Sequence, residues 1–262
     1  VLTNLDREHL DNYNNSYTKL EASMLELMNS IPFYGKVFVN GDDKNSVKLL
    51  AKINRAVFTF GINKKNNITA KSIKYIDGKK MQFDVIFSKR TYKVHTNLLG
   101  KHNVYNILSA ISVCLHLGIS MTDTIKSLNS FFGARRRFDV YEDIYINKYK
   151  PIIIDDYGHH PTEIHSTLDT INKLYPGKKI VMIFQPHRFS RTKAYWRLFL
   201  DVFKKLDQII LLPTYSAGEK NNSYDSSFIY QKIKNKNKLL LKSIDEVKDA
   251  IKDVNFNNSI LV

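Results

Sequence analysis

The stretch from Pro151 to Glu163, PIIIDDYGHHPTE, decides the fold of the second half of the chain. It opens with an apolar run, continues with a polar loop and then enters a helical pattern at 161–174. Proline suits the first turn of a helix, because the N–H that it lacks would have no partner there. A fully apolar strand is typical of a parallel sheet with helices on both faces. The stretch therefore predicts the strand–loop–helix unit of an α/β domain.

The same alternation continues to the end of the chain. Apolar strands are predicted at 180–184, 208–212, 238–241 and 259–262, and helices at 193–206, 225–234 and 243–252. Strands separated by helices favour a doubly wound, mostly parallel, Rossmann-like domain over residues 135–262.

The first half, residues 1–134, has a mixed pattern. Strands are predicted at 36–40, 56–61 and within 68–96, and helices at 16–30, 103–117 and 121–132. Asp77-Gly78 is a hairpin signal inside the long strand region. We therefore expect a mixed sheet with helices, and a domain boundary near residues 133–138.

The composition is that of an ordinary globular protein. The chain has 262 residues, 43% of them hydrophobic and 25% charged, which suits one large domain or two ordinary ones. The single cysteine, Cys114, excludes an intrachain disulfide and a zinc site built on several thiolates. The sequence shows neither a signal peptide nor an apolar run of membrane-spanning length. We therefore expect a cytoplasmic protein with no membrane partner.

The net charge of +15 raises the alternative of a nucleic-acid-binding protein. Lysine outnumbers arginine 31 to 9, and the lysines are scattered along the whole chain. A nucleic-acid binder more often concentrates them in a stripe with interleaved aromatic residues, and its binding depends steeply on salt. We therefore expect no nucleic-acid partner and keep this class as the alternative.

Two polar loops follow neighbouring apolar strands of the second half. Residues 155–163 read DDYGHHPTE, and residues 185–192 read QPHRFSRT. In a doubly wound sheet, ligands bind outside the carboxyl ends of the strands. The loops would bring three histidines, two arginines and two aspartates to one crevice. That convergence favours a binding site over the alternative of solvated loops with helix caps.

Arg188 and Arg191 lie three residues apart near the start of a predicted helix. At this spacing both guanidinium groups face the same side of a helix and reach one anion. Paired charge-assisted bonds suit a carboxylate or a phosphate. The alternative is two unrelated surface arginines.

Two polar segments of the first half carry weaker signals. His9 lies among the carboxylates of TNLDREHLD at 3–11, where either a divalent-cation site or a solvated polar loop fits. Asn103 and Asn106 of GKHNVYN lie three apart, so their amides suit an adenine edge. Simple N-capping by Asn103 is the alternative. The sequence lacks the phosphate loop of P-loop nucleoside triphosphatases and the motifs of serine hydrolases and zinc hydrolases.

Seven segments together resemble the Mur ligase family, whose members form amide bonds with ATP. They keep the family's order and similar spacing: TNLDREHLD (3–11), IPFYG (31–35), GKHNVYN (100–106), RRFD (136–139), DDYGHHPTE (155–163), FQPHRFSRT (184–192) and YSAGE (215–219). The resemblance implies a ligase that adds L-alanine to the carboxylate of UDP-N-acetylmuramate through an acyl phosphate. A sibling that joins a tripeptide to the same sugar nucleotide is the alternative, and PHRFSRT favours the alanine-adding branch.

The resemblance also implies a domain assignment. Residues 1–134 correspond to the C-terminal part of the central, ATP-binding domain, and residues 135–262 to the C-terminal, amino-acid-binding domain. Both ends read as interrupted strands, so we expect a fragment with a truncated last domain. The family's phosphate loop would lie upstream, and we therefore expect the chain alone to be inactive. We expect the intact protein to be a monomer or a homodimer.

The resemblance finally implies ATP and Mg²⁺ as cofactors, and roles for individual residues. His9 would hold magnesium and, with His159, act in catalysis. The nucleotide would be bound by His102, Asn103, Asn106, Arg137 and Asp156. The amino acid would be bound by Tyr157, His159, Arg188 and Arg191.

Overall fold

A computed structural model describes residues 1–7, 10–220 and 223–262 of the chain. The chain folds into two compact units, Val1–Phe132 and Gly133–Val262. Each unit is an α/β sandwich with its own sheet, which confirms the predicted fold class. No helix among the described residues is long and apolar enough to cross a bilayer.

The first unit contains a five-stranded mixed sheet in the order β1-β2-β3-β4-β5. Its strands are β1 (Lys36–Asn40), β2 (Ala56–Gly61), β3 (Ile68–Ile76), β4 (Lys80–Phe87) and β5 (Arg90–Thr96). The first three are parallel, whereas β3, β4 and β5 form antiparallel hairpins. The predicted turn at Asp77-Gly78 is confirmed, with both residues at positive φ.

Four α-helices occur in the described part of the first unit. They are α1 (Tyr17–Asn29), α2 (Lys44–Leu49), α3 (Lys101–His116) and α4 (Met121–Ser130), with 3₁₀ turns at Leu10–Tyr13 and Leu50–Lys52. The short helix α2 was not predicted, and Asp43 caps it by accepting hydrogen bonds from Ser46 N and Oγ. The Asp43 carboxylate also accepts from Leu5 N at 3.2 Å. The segment that precedes His9 is therefore fixed to the end of β1, while His9 itself lies outside the described residues.

The second unit contains a six-stranded sheet in the order β10-β9-β8-β11-β7-β6. Its strands are β6 (Asp139–Tyr141), β7 (Ile152–Asp155), β8 (Lys179–Phe184), β9 (Gln208–Leu211), β10 (Lys238–Leu240) and β11 (Ser259–Leu261). All pairs are parallel except β6 with β7, as predicted for a mostly parallel domain. The helices are α5 (Pro161–Leu174), α6 (Phe189–Phe203), α7 (Ser226–Lys232) and α8 (Val247–Ala250).

An aromatic cluster seals β8 against α6. Phe184, Phe199 and Phe203 are at most 5% exposed, and their ring centroids lie 5.3–5.9 Å apart. Burial of three aromatic side chains supplies a large apolar contact between sheet and helix. The C-terminal half of α6 is thereby anchored to β8, while the predicted arginines lie at the opposite, N-terminal end of the helix.

Lys238 closes the C-terminal end of α7. Its Nζ donates to Tyr230 O at 2.8 Å and to Ile233 O at 2.7 Å. These carbonyls belong to the last turn of the helix, where oxygens lack partners within the helix.

We expect Lys238→Met to lower the free energy of unfolding by about 1–2 kcal/mol, because both charge-assisted bonds are lost while the apolar stem remains. Denaturant unfolding of the chain measures the change. Lys236→Met, at an exposed position two residues earlier, is the matched control. Equal losses in the two variants would contradict this role of Lys238.

Candidate active site

A cavity of 420 Å³ opens at the carboxyl ends of β7, β8 and β11 in the second unit. Its polar lining comes from the two loops that the sequence singled out, together with Arg136 before β6 and a tyrosine after β9: Arg136, Asp155, Asp156, Tyr157, His159, Gln185, His187 and Tyr215. The parallel strands end at one edge of the sheet, so their loops converge there. The predicted crevice is therefore present.

The loop after β7 is held by backbone and carboxylate contacts. Tyr157 N donates to Arg136 O at 2.8 Å, and Asp156 Oδ1 accepts from Gly158 N at 2.7 Å. A Cβ at Gly158 would lie 2.6 Å from Asp156 Oδ1, so any other residue would displace the carboxylate that accepts from Gly158 N. The Arg136 guanidinium stacks 5.0 Å from the centroid of the Tyr157 ring.

His160 and Glu163 cap α5 in a capping box. The His160 side chain accepts from Thr162 N, and Glu163 Oε2 accepts from His159 N at 3.0 Å and His160 N at 3.1 Å. Burial raises the pKa of Glu163, but these two N–H groups together with the charges of His159 and Arg137 hold it below its ordinary value. The aspartates of the loop are thus not the caps of this helix.

Arg137 and Asp156, both predicted to meet the nucleotide, lie near α5. Arg137 Nη1 is 3.7 Å from Glu163 Oε1 across a solvent-exposed ion pair. Such an exposed pair contributes at most about 1 kcal/mol and leaves the guanidinium available to an anion.

Four aromatic rings form a column along the cavity. Tyr157 and His159 meet edge to face at 5.3 Å, His159 and His187 lie 5.3 Å apart, and His187 and Tyr215 lie 5.2 Å apart. The column joins the loops after β7, β8 and β9. It fixes the orientation of both imidazoles relative to each other.

The hydrogen bonds of the two imidazoles determine opposite tautomers. His159 Nδ1 lies 3.0 Å from Tyr157 O, and a carbonyl only accepts, so Nδ1 carries the proton and the neutral ring presents a bare Nε2. His187 Nδ1 lies 3.2 Å from Arg191 Nη1, and a guanidinium only donates, so Nδ1 is bare and Nε2 carries the proton. The cavity thus contains one imidazole acceptor and one imidazole donor.

The two predicted arginines lie at the start of α6, which begins at Phe189 rather than at the predicted Lys193. Arg188 is the N-cap residue, with φ 70° and ψ 134°. Arg191 lies in the first turn, where its Nη1 also donates to His187 O at 3.1 Å. Both positive charges act on the His187 ring. The structure therefore places the pair beside the imidazole column.

The pKa of His187 is lowered. Burial is the main cause, followed by the positive charge of Arg191, by His159 whenever that ring is protonated, and by Arg188, while Glu219 partly opposes them. His187 is therefore neutral at pH 7 in the folded chain, which agrees with its role as acceptor of the Arg191 bond.

We expect the free energy of unfolding to fall as the pH drops below about 6.5, because unfolded His187 takes up a proton there while the folded ring resists it. Above that pH the contribution is constant. His187→Asn should flatten the dependence of the free energy of unfolding on pH between about pH 5 and pH 8. The Oδ1 of the asparagine still accepts from Arg191 but does not titrate. His95→Asn, at an exposed position in the first unit, should keep the slope. An unchanged slope in His187→Asn would contradict the assignment.

The predicted nucleotide residues of the first unit lie in the first two turns of α3. His102 is in the first turn, Asn103 Nδ2 donates to Leu99 O at 2.7 Å, and Asn106 Nδ2 donates to Asn103 Oδ1 at 3.1 Å. The N-cap residue is Gly100, so the alternative of N-capping by Asn103 is wrong. The two amides are coupled on one face of the helix, as their spacing predicted.

Tyr105 and Asp42 link α3 to the turn after β1. Tyr105 donates to Asp42 Oδ2 at 3.3 Å, and burial followed by the Asp42 charge raises the pKa of Tyr105 to about 12. Asp42 also accepts from Ile62 N at 2.6 Å and from Asn66 Nδ2 at 2.9 Å. These contacts fix the start of α3 relative to the ends of β1 and β2.

Sequence reasoning left several lining residues without a role. His187 stood inside the quoted segment FQPHRFSRT and Tyr215 inside YSAGE, yet neither has a local signal for the ring column. Arg136 stood beside Arg137, and only the structure shows its contact with Tyr157. No cluster of three or more His, Cys, Asp or Glu side chains suited to a metal occurs in the described part of the chain.

Two family profiles match the chain. The Mur ligase middle domain matches residues 1–114, and the Mur ligase glutamate ligase domain matches residues 136–262. Curated proteins named UDP-N-acetylmuramate--L-alanine ligase from Vesicomyosocius okutanii and Aquifex aeolicus are each 36% identical to it. Both alignments cover 100% of this chain but 57% and 56% of the relatives, so the chain spans little more than half of their length.

Solved structures show the same architecture. The UDP-N-acetylmuramate-alanine ligase MurC of Thermotoga maritima aligns with a TM-score of 0.73 at 25% identity, over 99% of this chain and 54% of that one. MurF ligase of Thermotoga maritima, solved in complex with ADP, aligns with a TM-score of 0.72 at 18% identity, over 98% and 56%. With both domain profiles and whole-chain relatives in agreement, the chain belongs to the Mur ligase family.

Proposed function

We propose that this chain forms part of an ATP-dependent ligase that adds L-alanine to the carboxylate of UDP-N-acetylmuramate, in the synthesis of peptidoglycan precursors. The observation that carries the proposal is the cavity of the second unit, which is lined by two imidazoles of opposite tautomer, with Arg191 next to the cavity in contact with His187 Nδ1. An amino acid has the matching chemistry, with an anionic end and an amine. The names of the relatives support alanine as that amino acid.

Each group of an amino acid bound in the cavity has a counterpart in the cavity lining or at the neighbouring start of α6. Arg188 and Arg191 bind its carboxylate by charge-assisted hydrogen bonds, and the Nε2–H of His187 adds a neutral donor. The bare Nε2 of His159 accepts from the amino group, next to the Tyr157 ring. Because the carboxylate is held at the other end, the amine is left free to act as the nucleophile.

Residues 1–134 are assigned to nucleotide binding and residues 135–262 to amino-acid binding. Asn103 and Asn106 would meet the adenine edge, beside His102, while Arg137 and Asp156 would contact the nucleotide. The described residues offer no complete metal cluster. The predicted magnesium ligand His9 lies outside them, so no step of the reaction is assigned to the metal. Magnesium often keeps several waters and substrate phosphates as ligands, which needs few protein groups.

The reaction has two steps. The carboxylate of UDP-N-acetylmuramate attacks the γ-phosphorus of ATP, which gives an acyl phosphate and ADP. The amine of L-alanine then attacks the acyl carbon, His159 takes the proton that the nitrogen releases, and phosphate leaves as the amide forms. Because ATP and sugar nucleotides are cytoplasmic metabolites, we infer the cytoplasm as the place of this reaction.

ADP release from the full-length protein tests the proposal. The protein is given Mg²⁺, ATP and UDP-N-acetylmuramate, and then L-alanine, a cell-wall tripeptide or neither. We expect release that requires L-alanine. Release only with the tripeptide would assign the protein to the sibling activity, and no release with either substrate would contradict the proposal.

A further inference from the structure

Helix α6 begins without a cap from its own N-cap residue. Arg188 makes no side-chain cap hydrogen bond, and its φ of 70° with ψ of 134° is unfavourable for a residue with a Cβ. Such a conformation persists only where surrounding contacts impose it. The first turn of α6 therefore depends on groups elsewhere in the chain.

Glu219 supplies the missing cap from a loop that is distant in sequence. Its Oε2 accepts from Ser190 N at 2.9 Å, its Oε1 accepts from Ser190 Oγ, and the Phe189 N–H also donates to the carboxylate. A carboxylate at this position satisfies the free N–H groups of the first turn and interacts favourably with the positive end of the helix dipole.

The same loop holds Arg188 from its other side. Arg188 N donates to Tyr215 O, and Tyr215 N donates to Pro186 O, both at 2.8 Å. Ala217 and Gly218 turn the chain back at positive φ, which returns Glu219 to the helix. The loop at 213–219 therefore fixes the backbone of Arg188 on both sides.

Glu219 is charged at neutral pH. Burial would raise the pKa of this carboxyl, but the hydrogen bonds from Ser190 Oγ and N and the positive charge of Arg188 hold it below its ordinary value. A substrate carboxylate would be repelled by Glu219, so direct contact between the two is unfavourable. Any effect of Glu219 on the substrate must therefore act through α6 and its arginines.

We propose that Glu219 is a positioning residue for amino-acid binding, whose carboxylate fixes the first turn of α6 so that Arg188 and Arg191 receive the substrate carboxylate. The inference rests on the proposed function of the cavity. It gives Glu219 of the YSAGE segment a role in holding the start of α6. This role differs from lining the cavity and from binding the substrate directly. Its consequence is specific, because only the binding of the amino acid should depend on it.

Glu219→Gln in the full-length protein tests the role. The amide keeps the shape of the side chain but loses the charge and one acceptor. We expect the KM for L-alanine to rise about tenfold, the equivalent of one lost charge-assisted bond, with kcat and the KM for ATP within about twofold of wild type. Steady-state ADP release measures all three quantities.

Asp225→Asn is the matched control. Asp225 caps α7 in the same way, since Oδ1 accepts from Phe228 N at 3.0 Å and from Ser227 Oγ at 2.6 Å. Its loss removes a helix cap of the same unit, while the contacts of Glu219 with the first turn of α6 stay in place. We expect the KM for L-alanine to stay at the wild-type value, and an equal rise in both variants would overturn the positioning role.

Ser190→Ala provides a second, milder variant in case Glu219→Gln does not fold. It removes only the hydroxyl donor, and we expect a rise of about threefold in the KM for L-alanine. In the double variant Glu219→Gln/Ser190→Ala, the two rises in the KM for L-alanine should not add, because both changes break the same contact between Glu219 and Ser190. Wild-type turnover with an unchanged KM in the folded variants would overturn the positioning role alone. If ADP release by the wild-type protein does not depend on L-alanine, the proposed function is overturned as well.

Discussion

Arg191→Ala is expected to lower kcat/KM for L-alanine about 10²–10⁴-fold, because two charge-assisted bonds to a carboxylate contribute about 1.5–3 kcal/mol each. The variant also removes the donor to His187 Nδ1, which fixes the tautomer of that ring. Most of the loss should appear in KM, since the carboxylate is bound equally in the ground and transition states. The KM for ATP should not change.

Arg191→Lys separates charge from geometry at the same position. A lysine keeps the positive charge but lacks the planar fork, whose Nη1 donates to His187 Nδ1 and His187 O and whose other side would face the substrate in the proposed function. We expect an intermediate loss, closer to alanine than to wild type. Arg197→Ala, at an exposed position later on the same helix, should leave the kinetics unchanged. Loss of activity in Arg197→Ala equal to that in Arg191→Ala would contradict a specific binding role.

The strands were predictable where burial on both faces produces an apolar run. Ile152–Ile154 and Ile180–Phe184 are such runs, and the structure has strands there. The position of the last strand was not predictable. β11 pairs with both β7 and β8 in the middle of the sheet, and this order depends on packing between distant segments. The three-residue strand β6 and the short helix α2 were missed, because neither is long enough to show a period.

The start of α6 shows why helix boundaries escape local reasoning. The sequence from Pro186 to Ser190 contains no residue that caps this helix, so its start was placed four residues too late. The structure begins the helix at Phe189 because Glu219, 29 residues away, accepts from Ser190. A cap supplied from a distant loop leaves no signal near the helix that it stabilises.

The composition of the site was predictable, but its protonation was not. Histidines and arginines after two neighbouring strands indicated where a ligand binds, because parallel strands end together. Tautomers depend on which atom lies next to each ring nitrogen. Only the structure pairs His159 with a carbonyl and His187 with a guanidinium. Their roles as acceptor and donor follow from these contacts and not from the spacing of the histidines.

His159→Asn is expected to lower kcat about 10²–10⁴-fold, which is the usual contribution of a general base. Asparagine places an N–H where His159 Nδ1 donates to Tyr157 O, so the loop contact at 3.0 Å is kept while the acceptor Nε2 is removed. The KM for L-alanine should rise much less than kcat falls, because the arginines still bind its carboxylate while only the contact of Nε2 with the amino group is lost. The loss of kcat therefore reports mainly on proton transfer.

His165→Asn is the matched control, because this histidine lies on the exposed side of α5, paired with Asp169 at 3.1 Å. It should retain wild-type kcat. If His159 is the base, the limb of the pH–rate profile that reports its ionisation should disappear in His159→Asn and persist in His165→Asn. A His159→Asn variant with kcat within tenfold of wild type and the same profile would show that proton removal does not pass through this ring. The bare Nε2 would then be a binding contact, and the amine would have to lose its proton to solvent.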